Sequence, residues 1–162
     1  METYQKILLG TGGLVGLLAV LKTVSAKAGK ARIVVEKSSS PTNIGAGGHV
    51  THIINIRNIG AQSAMSLSAY DTIPRGFVMS GEGIKGSGGD SDCVVTVPYP
   101  GVAYFEITGD LGPGQTCYFS YEIFTPLDAS GLYKDLIAVN GINIDGSAIP
   151  TAIDKSYVMV TR

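Results

Sequence analysis

Apolar and polar positions alternate in short runs along most of this chain, and turns rich in glycine and proline separate the runs. In residues 64–70, Met65, Leu67 and Ala69 alternate with serine or tyrosine, which is the pattern of a strand buried on one face. Comparable runs cover residues 32–37, 50–57, 77–80, 93–97, 102–107, 116–124, 133–139 and 152–161. The pattern predicts about seven to nine strands, and no helix longer than one turn after residue 30.

Short strands at this spacing are typical of two packed antiparallel sheets. We therefore predict an all-β, immunoglobulin-like β-sandwich over residues 30–162, with loops at residues 38–48 and 81–92. The chain has no tryptophan, so it lacks the Cys-Trp-Cys core of antibody domains. The predicted core consists of apolar residues at the inward positions of the runs: Ile54, Ile56, Met65, Leu67, Phe119, Tyr121, Ile123, Ile137 and Val139.

The N-terminal 29 residues have a different composition. Lys6 precedes an uncharged run over residues 7–21, and Val24-Ser-Ala26 follows. A charged start, a short apolar run and small residues are typical of a secretory signal cleaved after Ala26. The second interpretation is an uncleaved membrane anchor from Ile7 to Ala28. A buried soluble helix is disfavoured because four glycines lie between Gly10 and Gly16. We expect one N-terminal hydrophobic helix and a sandwich outside the cytosol.

Composition limits the classes of function. A length of 162 residues suits one sandwich domain, and a hydrophobic content of 44% excludes a disordered chain. Charged residues make up 15% and the net charge is -1, so no basic field is available to attract nucleic acid.

The glycines Gly81, Gly83 and Gly86 have the spacing of a dinucleotide fingerprint. That chemistry requires a helix whose N-terminus meets the pyrophosphate, and the residues that follow predict strands instead. We therefore expect a sandwich loop and no cofactor.

No metal or catalytic site stands out in the sequence. His49 and His52 could join two cysteines around zinc, but the spacing lacks paired Cys-x-x-Cys knuckles and the two histidines should face opposite sides of one strand. Asp90 and Asp92 lie beside glycines, yet two carboxylates in a solvated loop make a weak calcium site. No nucleophile motif surrounds any serine. We expect a protein that is not an enzyme.

Cys93 and Cys117 are the only cysteines of the chain. Outside the cytosol an even number of cysteines permits one disulfide. The alternative is a pair of small, buried, reduced side chains.

Several segments resemble a known family. Ala31-Arg-Ile-Val-Val-Glu-Lys-Ser38, Asn55-Ile-Arg-Asn-Ile-Gly60 and the stretch from Asp71 to Pro74 are similar to the lumenal domain of the translocon-associated protein beta subunit. This resemblance implies a non-catalytic accessory subunit of a membrane complex, with its sandwich in the lumen of the endoplasmic reticulum.

The middle of the chain also resembles an immunoglobulin-like repeat of bacterial and archaeal surface proteins. That repeat shows Asn-x-Gly, Asp-x-x-Pro-x-Gly and Leu-x-Pro-Gly-Gln, and the chain has Asn58/Gly60, Asp71/Pro74/Gly76 and Leu111/Pro113/Gly114/Gln115, with Gly112 inserted. This resemblance implies a structural subunit of a cell surface or filament, in which residues 32–37 add a strand to a neighbour.

Both interpretations predict protein partners and a role in docking. Surface loops on a rigid sandwich commonly carry recognition, so the turn at residues 71–76 and the loop at residues 81–92 are the predicted contact regions. Five of their charged residues are the candidate contacts: Asp71, Arg75, Lys85, Asp90 and Asp92.

Overall fold

The structure is a computed structural model that describes residues 29–90, 93–99 and 102–162. The hydrophobic helix predicted before residue 29 lies outside these ranges. Within them, no helix is long and apolar enough to cross a membrane.

Ten strands form the described part of the chain. Their bounds are β1 Ile33–Ser40, β2 Asn43–Gly45, β3 His49–Asn58, β4 Ala64–Thr72, β5 Val78–Gly89, β6 Val94–Thr96, β7 Tyr104–Thr108, β8 Thr116–Phe124, β9 Gly131–Asn143 and β10 Ala152–Thr161. One sheet has the order β1-β3-β8-β5 and the other has the order β2-β10-β9-β4-β7-β6. All neighbours are antiparallel except β2 and β10, which run parallel, so the second sheet is mixed.

The two sheets pack face to face as a sandwich. Phe105 on β7 contacts Phe119 and Tyr121 on β8 of the opposite sheet, with ring centroids 4.6 and 4.8 Å apart. Eight of the nine predicted core residues are buried, and Met65 is only half-buried. The prediction of an all-β fold is confirmed.

Met65 departs from the predicted alternation because β4 is irregular at this point. The pairing of β4 with β9 shifts register between Met65 and Ser68, and Ser66 has a φ of 49°. An extra residue in one strand re-aims the side chains that flank it. Ala64 and Leu67 therefore face the core, where strict alternation places Met65 and Leu67.

Two predicted loops are partly strands. In residues 38–48, β1 continues to Ser40 and β2 is formed. The predicted loop at 81–92 was wrong up to Gly89, because β5 runs on beside β8 with Gly88 opposite Tyr118. A β-carbon at Gly89 would lie 2.2 Å from the carbonyl oxygen of Thr116, so the lack of a side chain is what allows this close pairing.

The two cysteines come from different sheets. Cys117 lies on β8 and Cys93 directly precedes β6, and the structure joins them in a disulfide with Cα atoms 6.0 Å apart. That Cα separation is within the range of ordinary disulfides.

We predict that Leu67→Asp unfolds the domain. Leu67 is 2% exposed, and an unpaired buried charge costs several kcal/mol against a typical total stability of about 5–15 kcal/mol. Circular dichroism and urea unfolding measure the loss. The matched control is Thr72→Asp on the exposed face of the same strand, which should change stability by less than about 0.5 kcal/mol. Equal stability of the two variants would contradict the assigned core.

A buried charged cluster between the two sheets

Five polar side chains meet in the interior of the sandwich. Lys37 on β1, His52 on β3 and Tyr121 on β8 come from the four-stranded sheet, whereas Asp71 on β4 and Asp135 on β9 come from the six-stranded sheet. We call these five residues the buried cluster.

Strand periodicity places each member of the cluster on the core face. Lys37 follows the buried residues Ile33 and Val35 at intervals of two along β1. Asp71 likewise continues the inward row of Leu67 and Ala69. Because side chains two positions apart share a face of a strand, these charged groups enter the core together with the apolar residues beside them.

Lys37 joins the two sheets by ion pairs. Its ammonium group donates to Asp71 Oδ2 and to Asp135 Oδ1, and the Tyr121 hydroxyl donates to the same Asp71 oxygen. The side chains of Lys37 and Asp71 are 0% exposed and that of Asp135 is 3% exposed. The backbone amide of Lys37 also donates to Asp154 Oδ2 at 2.7 Å, which fixes β1 against β10.

A chain of polar side chains extends the cluster towards the edge of the sandwich. His52 Nδ1 lies 3.0 Å from Ser39 Oγ, and Ser39 donates to Ser156 Oγ at 2.7 Å. On the other side of the ring, His52 Nε2 lies 2.9 Å from Asp135 Oδ2, but the contact is not aligned for a hydrogen bond. These two atoms and Asp71 Oδ1 therefore have no hydrogen-bond partner among the described residues.

Burial separates the proton affinities of the two carboxyl groups. Burial raises the pKa of Asp71 to about 7, although the charge of Lys37 opposes the shift. Burial acts on Asp135 too, but contact with His52 and Lys37 outweighs it and holds the pKa of Asp135 below its usual value. Asp71 is therefore able to exchange a proton near neutral pH, whereas Asp135 stays ionised.

His52 and Tyr121, which contact the two carboxyl groups, are neutral near neutral pH. Burial lowers the pKa of His52, and the nearby charge of Lys37 acts in the same direction. Burial and the charge of Asp71 raise the pKa of Tyr121 well above its usual value. Near neutral pH the cluster thus contains one carboxylate that stays ionised, Asp135, and one carboxyl group that is close to its own pKa, Asp71.

The predicted contact residues are dispersed. Asp71 was expected on a surface turn, but β4 continues through Thr72 and Asp71 is 2% exposed, so its carboxylate does not face a partner.

The other predicted contact residues that the structure describes lie at the surface. Arg75 is exposed. Lys85 is exposed and pairs with Glu82 and Glu122, and Asp90 accepts hydrogen bonds from the amide and hydroxyl of Thr116. Asp92 lies outside the described residues.

The candidate zinc ligands are also separated. His49 is exposed at the start of β3 beside the ring of Phe124, while His52 is 0% exposed in the cluster. The prediction that they face opposite sides of the strand is confirmed. Within the described ranges, no group of three or more His, Cys, Asp or Glu side chains is arranged to hold a metal ion.

Sequence reasoning missed Lys37 and Asp135 altogether. Their spacing from apolar residues of the same strand could have revealed them, because Lys37 is two positions after Val35 and Asp135 is two positions before Ile137. A charge at an inward position of an otherwise apolar row indicates a buried partner of opposite sign.

No protein-family profile and no characterised protein sequence matches this chain. Solved structures do share its fold. The major pilin SpaD of Corynebacterium diphtheriae aligns with a TM-score of 0.56 at 12% identity, over 76% of this chain and 34% of the pilin. The major pilin BcpA of Bacillus cereus aligns with a TM-score of 0.55 at 9% identity, over 80% of this chain and 40% of the pilin.

A single domain of similar size also matches. The CARDB domain of a Pyrococcus furiosus protein aligns with a TM-score of 0.50 at 16% identity, over 81% of this chain and 95% of that domain. At these identities the likeness shows the fold alone. The translocon-associated beta subunit is not among these matches.

We predict that Lys37→Met lowers the free energy of unfolding by at least about 3–5 kcal/mol, because it leaves two carboxyl groups buried without their cation. Urea unfolding followed by tyrosine fluorescence measures the change. The control is Lys134→Met on β9, where the side chain is exposed, and it should be nearly neutral. A loss of the same size in both variants would contradict a specific role for Lys37.

Proposed function

We propose that this chain is a non-catalytic structural subunit of a cell surface or filament, and that it binds further copies of itself through the outer face of its six-stranded sheet. The observation that carries the proposal is a continuous apolar row on that face. The surface-subunit interpretation is also the one to which the shared fold with two pilins lends support.

The apolar row crosses four strands in register. Ile153 on β10 is opposite Ala138 on β9, which is opposite Tyr70 on β4, which is opposite Tyr104 on β7. The ring of Tyr99 extends the row, with its centroid 6.0 Å from that of Tyr104. We call these five residues the apolar band.

Three residues of the apolar band are exposed, and the other two, Ala138 and Tyr104, are half-buried. Ile153 is 64% exposed, Tyr70 is 50% exposed and Tyr99 is 60% exposed. Contiguous exposed apolar surface is uncommon on monomeric proteins and marks sites of protein contact. Aromatic side chains are enriched at such interfaces because they offer a large, rigid contact area.

The outer face of the four-stranded sheet also has exposed apolar side chains, but polar residues interrupt its rows: Tyr118 is opposite Asn55, which is opposite Glu36. Glu36 and Arg57 are exposed on the outer side of the four-stranded sheet, and Lys85 pairs there with Glu122. Depletion of charge is what distinguishes the centre of an interface from other surface. The six-stranded sheet is therefore the better candidate for the binding face.

The predicted donation of residues 32–37 to a neighbour is not part of this proposal. In the structure this segment lies in β1 and pairs with β3 of the same chain, and Lys37 is held in the core. Leaving the sheet would expose or unpair the buried charges, which is costly.

The proposal predicts that Tyr70→Lys and Ile153→Lys each weaken self-association by at least about tenfold, or about 1.4 kcal/mol, because a charge is placed in the centre of the contact. Cells that make the full chain are treated with a cross-linker that does not cross membranes. The wild type should give a ladder of cross-linked multimers, and the two variants should give mainly monomer.

Asn55→Lys serves as the control, because Asn55 is exposed on the opposite sheet. It should keep the ladder, and thermal unfolding should show that all the variants are folded. A ladder that survives both substitutions in the apolar band would contradict the proposed surface. A wild-type chain that the external reagent does not cross-link would contradict the proposed role.

A further inference from the structure

The buried cluster brings an amine and two carboxyl groups into direct contact in the core of the sandwich. We propose that Lys37 Nζ and the Cγ atom of Asp135 condense in the folded chain to an amide bond that joins the two sheets covalently, with Asp71 carrying the protons. The proposal rests on the geometry of the cluster alone and does not depend on the proposed function.

The proximity of the amine and the carboxyl groups favours the reaction. Lys37 Nζ contacts Asp135 Oδ1 and Asp71 Oδ2, and these groups come from two different sheets that folding brings together. Reacting groups that are held in contact reach effective concentrations of about 10⁵–10⁸ M. Amines and carboxylates that do not condense at a useful rate in dilute solution are therefore able to do so here.

The burial of the charged groups also favours the reaction. An ammonium and a carboxylate without access to water are costly to bury, whereas the amide that they form is neutral. The side chains of Lys37 and Asp71 are 0% exposed and that of Asp135 is 3% exposed, so the water that is released leaves a site that solvent does not refill. Condensation thus removes two buried charges, and hydrolysis is suppressed.

The two carboxyl groups have different roles because their proton affinities differ. Burial raises the pKa of Asp71 to about 7, which suits a group that takes and returns protons near neutral pH. Contacts with His52 and Lys37 outweigh burial at Asp135 and keep its pKa low, so it does not hold a proton near neutral pH before the reaction. The proton carrier is therefore Asp71, and Asp135 is the group that is attacked.

Each of the two carboxyl groups has one oxygen atom without a hydrogen-bond partner among the described residues, which suits the proposed roles. Asp71 Oδ1 has no hydrogen-bond partner among the described residues, so it is available to hold a proton, while the Tyr121 hydroxyl orients the other oxygen. Asp135 Oδ2 is also without an aligned partner in the described part of the chain. Loss of Asp135 Oδ2 as water would therefore break no aligned hydrogen bond, whereas Oδ1 accepts from Lys37.

The reaction balances without any added reagent. Asp71 takes one proton from the Lys37 ammonium and passes it to one oxygen of Asp135 as the neutral amine attacks Cγ of Asp135 and forms the N–C bond. Asp71 then carries a second proton from Nζ to the same oxygen. The bond from Cγ to that oxygen breaks and one water molecule leaves. The amide keeps one hydrogen on Nζ, and Asp71 returns to its starting state.

A tryptic digest of the purified, reduced, full chain decides the proposal. An amide at Lys37 blocks cleavage there, so peptide 33–57 stays whole and is joined to peptide 135–155. We expect nearly all chains to give this branched peptide, lighter than the sum of its two parts by one water molecule. Separate peptides 33–37, 38–57 and 135–155 would overturn the proposal. A branch from peptide 33–57 to peptide 58–75, which contains Asp71, would overturn it as well.

Isosteric variants test the two roles separately. Asp135→Asn retains an attackable carbonyl group, so it should give the same branched peptide by releasing ammonia in place of water. Asp71→Asn removes the proton carrier and should reduce the linked fraction by at least tenfold, while thermal unfolding reports whether the chain still folds. A folded Asp71→Asn variant that is linked as fully as the wild type would overturn the role of Asp71. If that variant does not fold, the digest of the wild type still decides the bond.

Discussion

The contact of one buried lysine with two aspartates of the opposite sheet is the constraint on which this sandwich depends. Lys37 belongs to an edge strand of the four-stranded sheet, and Asp71 and Asp135 belong to adjacent strands in the middle of the six-stranded sheet. Apolar contacts such as that of Phe105 with Phe119 hold the sheets together without direction. Ion pairs in a dry interior are directional and costly to misplace, so they fix how the sheets are aligned.

This arrangement separates the roles of the two faces of the six-stranded sheet. Asp71 points into the core, and its neighbour Tyr70 points outwards into the apolar band. Because successive residues of a strand face opposite sides, the strand that anchors the cluster also presents the proposed binding surface. A rigid attachment of β4 and β9 to the rest of the sandwich would hold the proposed binding surface in one shape.

Much of the fold was predictable from the sequence. The bounds of β8 and β10 agree with the predicted runs at 116–124 and 152–161, because both runs are rich in β-branched and aromatic residues and each follows a turn that contains proline. The glycine-rich half of β5 was not predictable in this way, since its pairing depends on contact with β8 and not on its own side chains. Met65 was misplaced by a local shift of register that alternation cannot reveal.

The site was harder to predict than the fold. Asp71 was singled out as an exposed contact, although its spacing from Leu67 and Ala69 places it on the core face. Lys37 and Asp135 are distant in the sequence, and only the sandwich brings them together. A single strand shows that a charge is buried, but it does not show which charge on another strand compensates it.

Native-state hydrogen exchange on the wild type and on Lys37→Met tests the central claim most directly. If Lys37 joins the two sheets, the amides of β1 should lose protection together with those of β4 and β9 around Asp71 and Asp135, while β6 and β7 keep theirs. A loss of protection confined to β1, or no loss at all, would contradict the claim that this lysine holds the sandwich together.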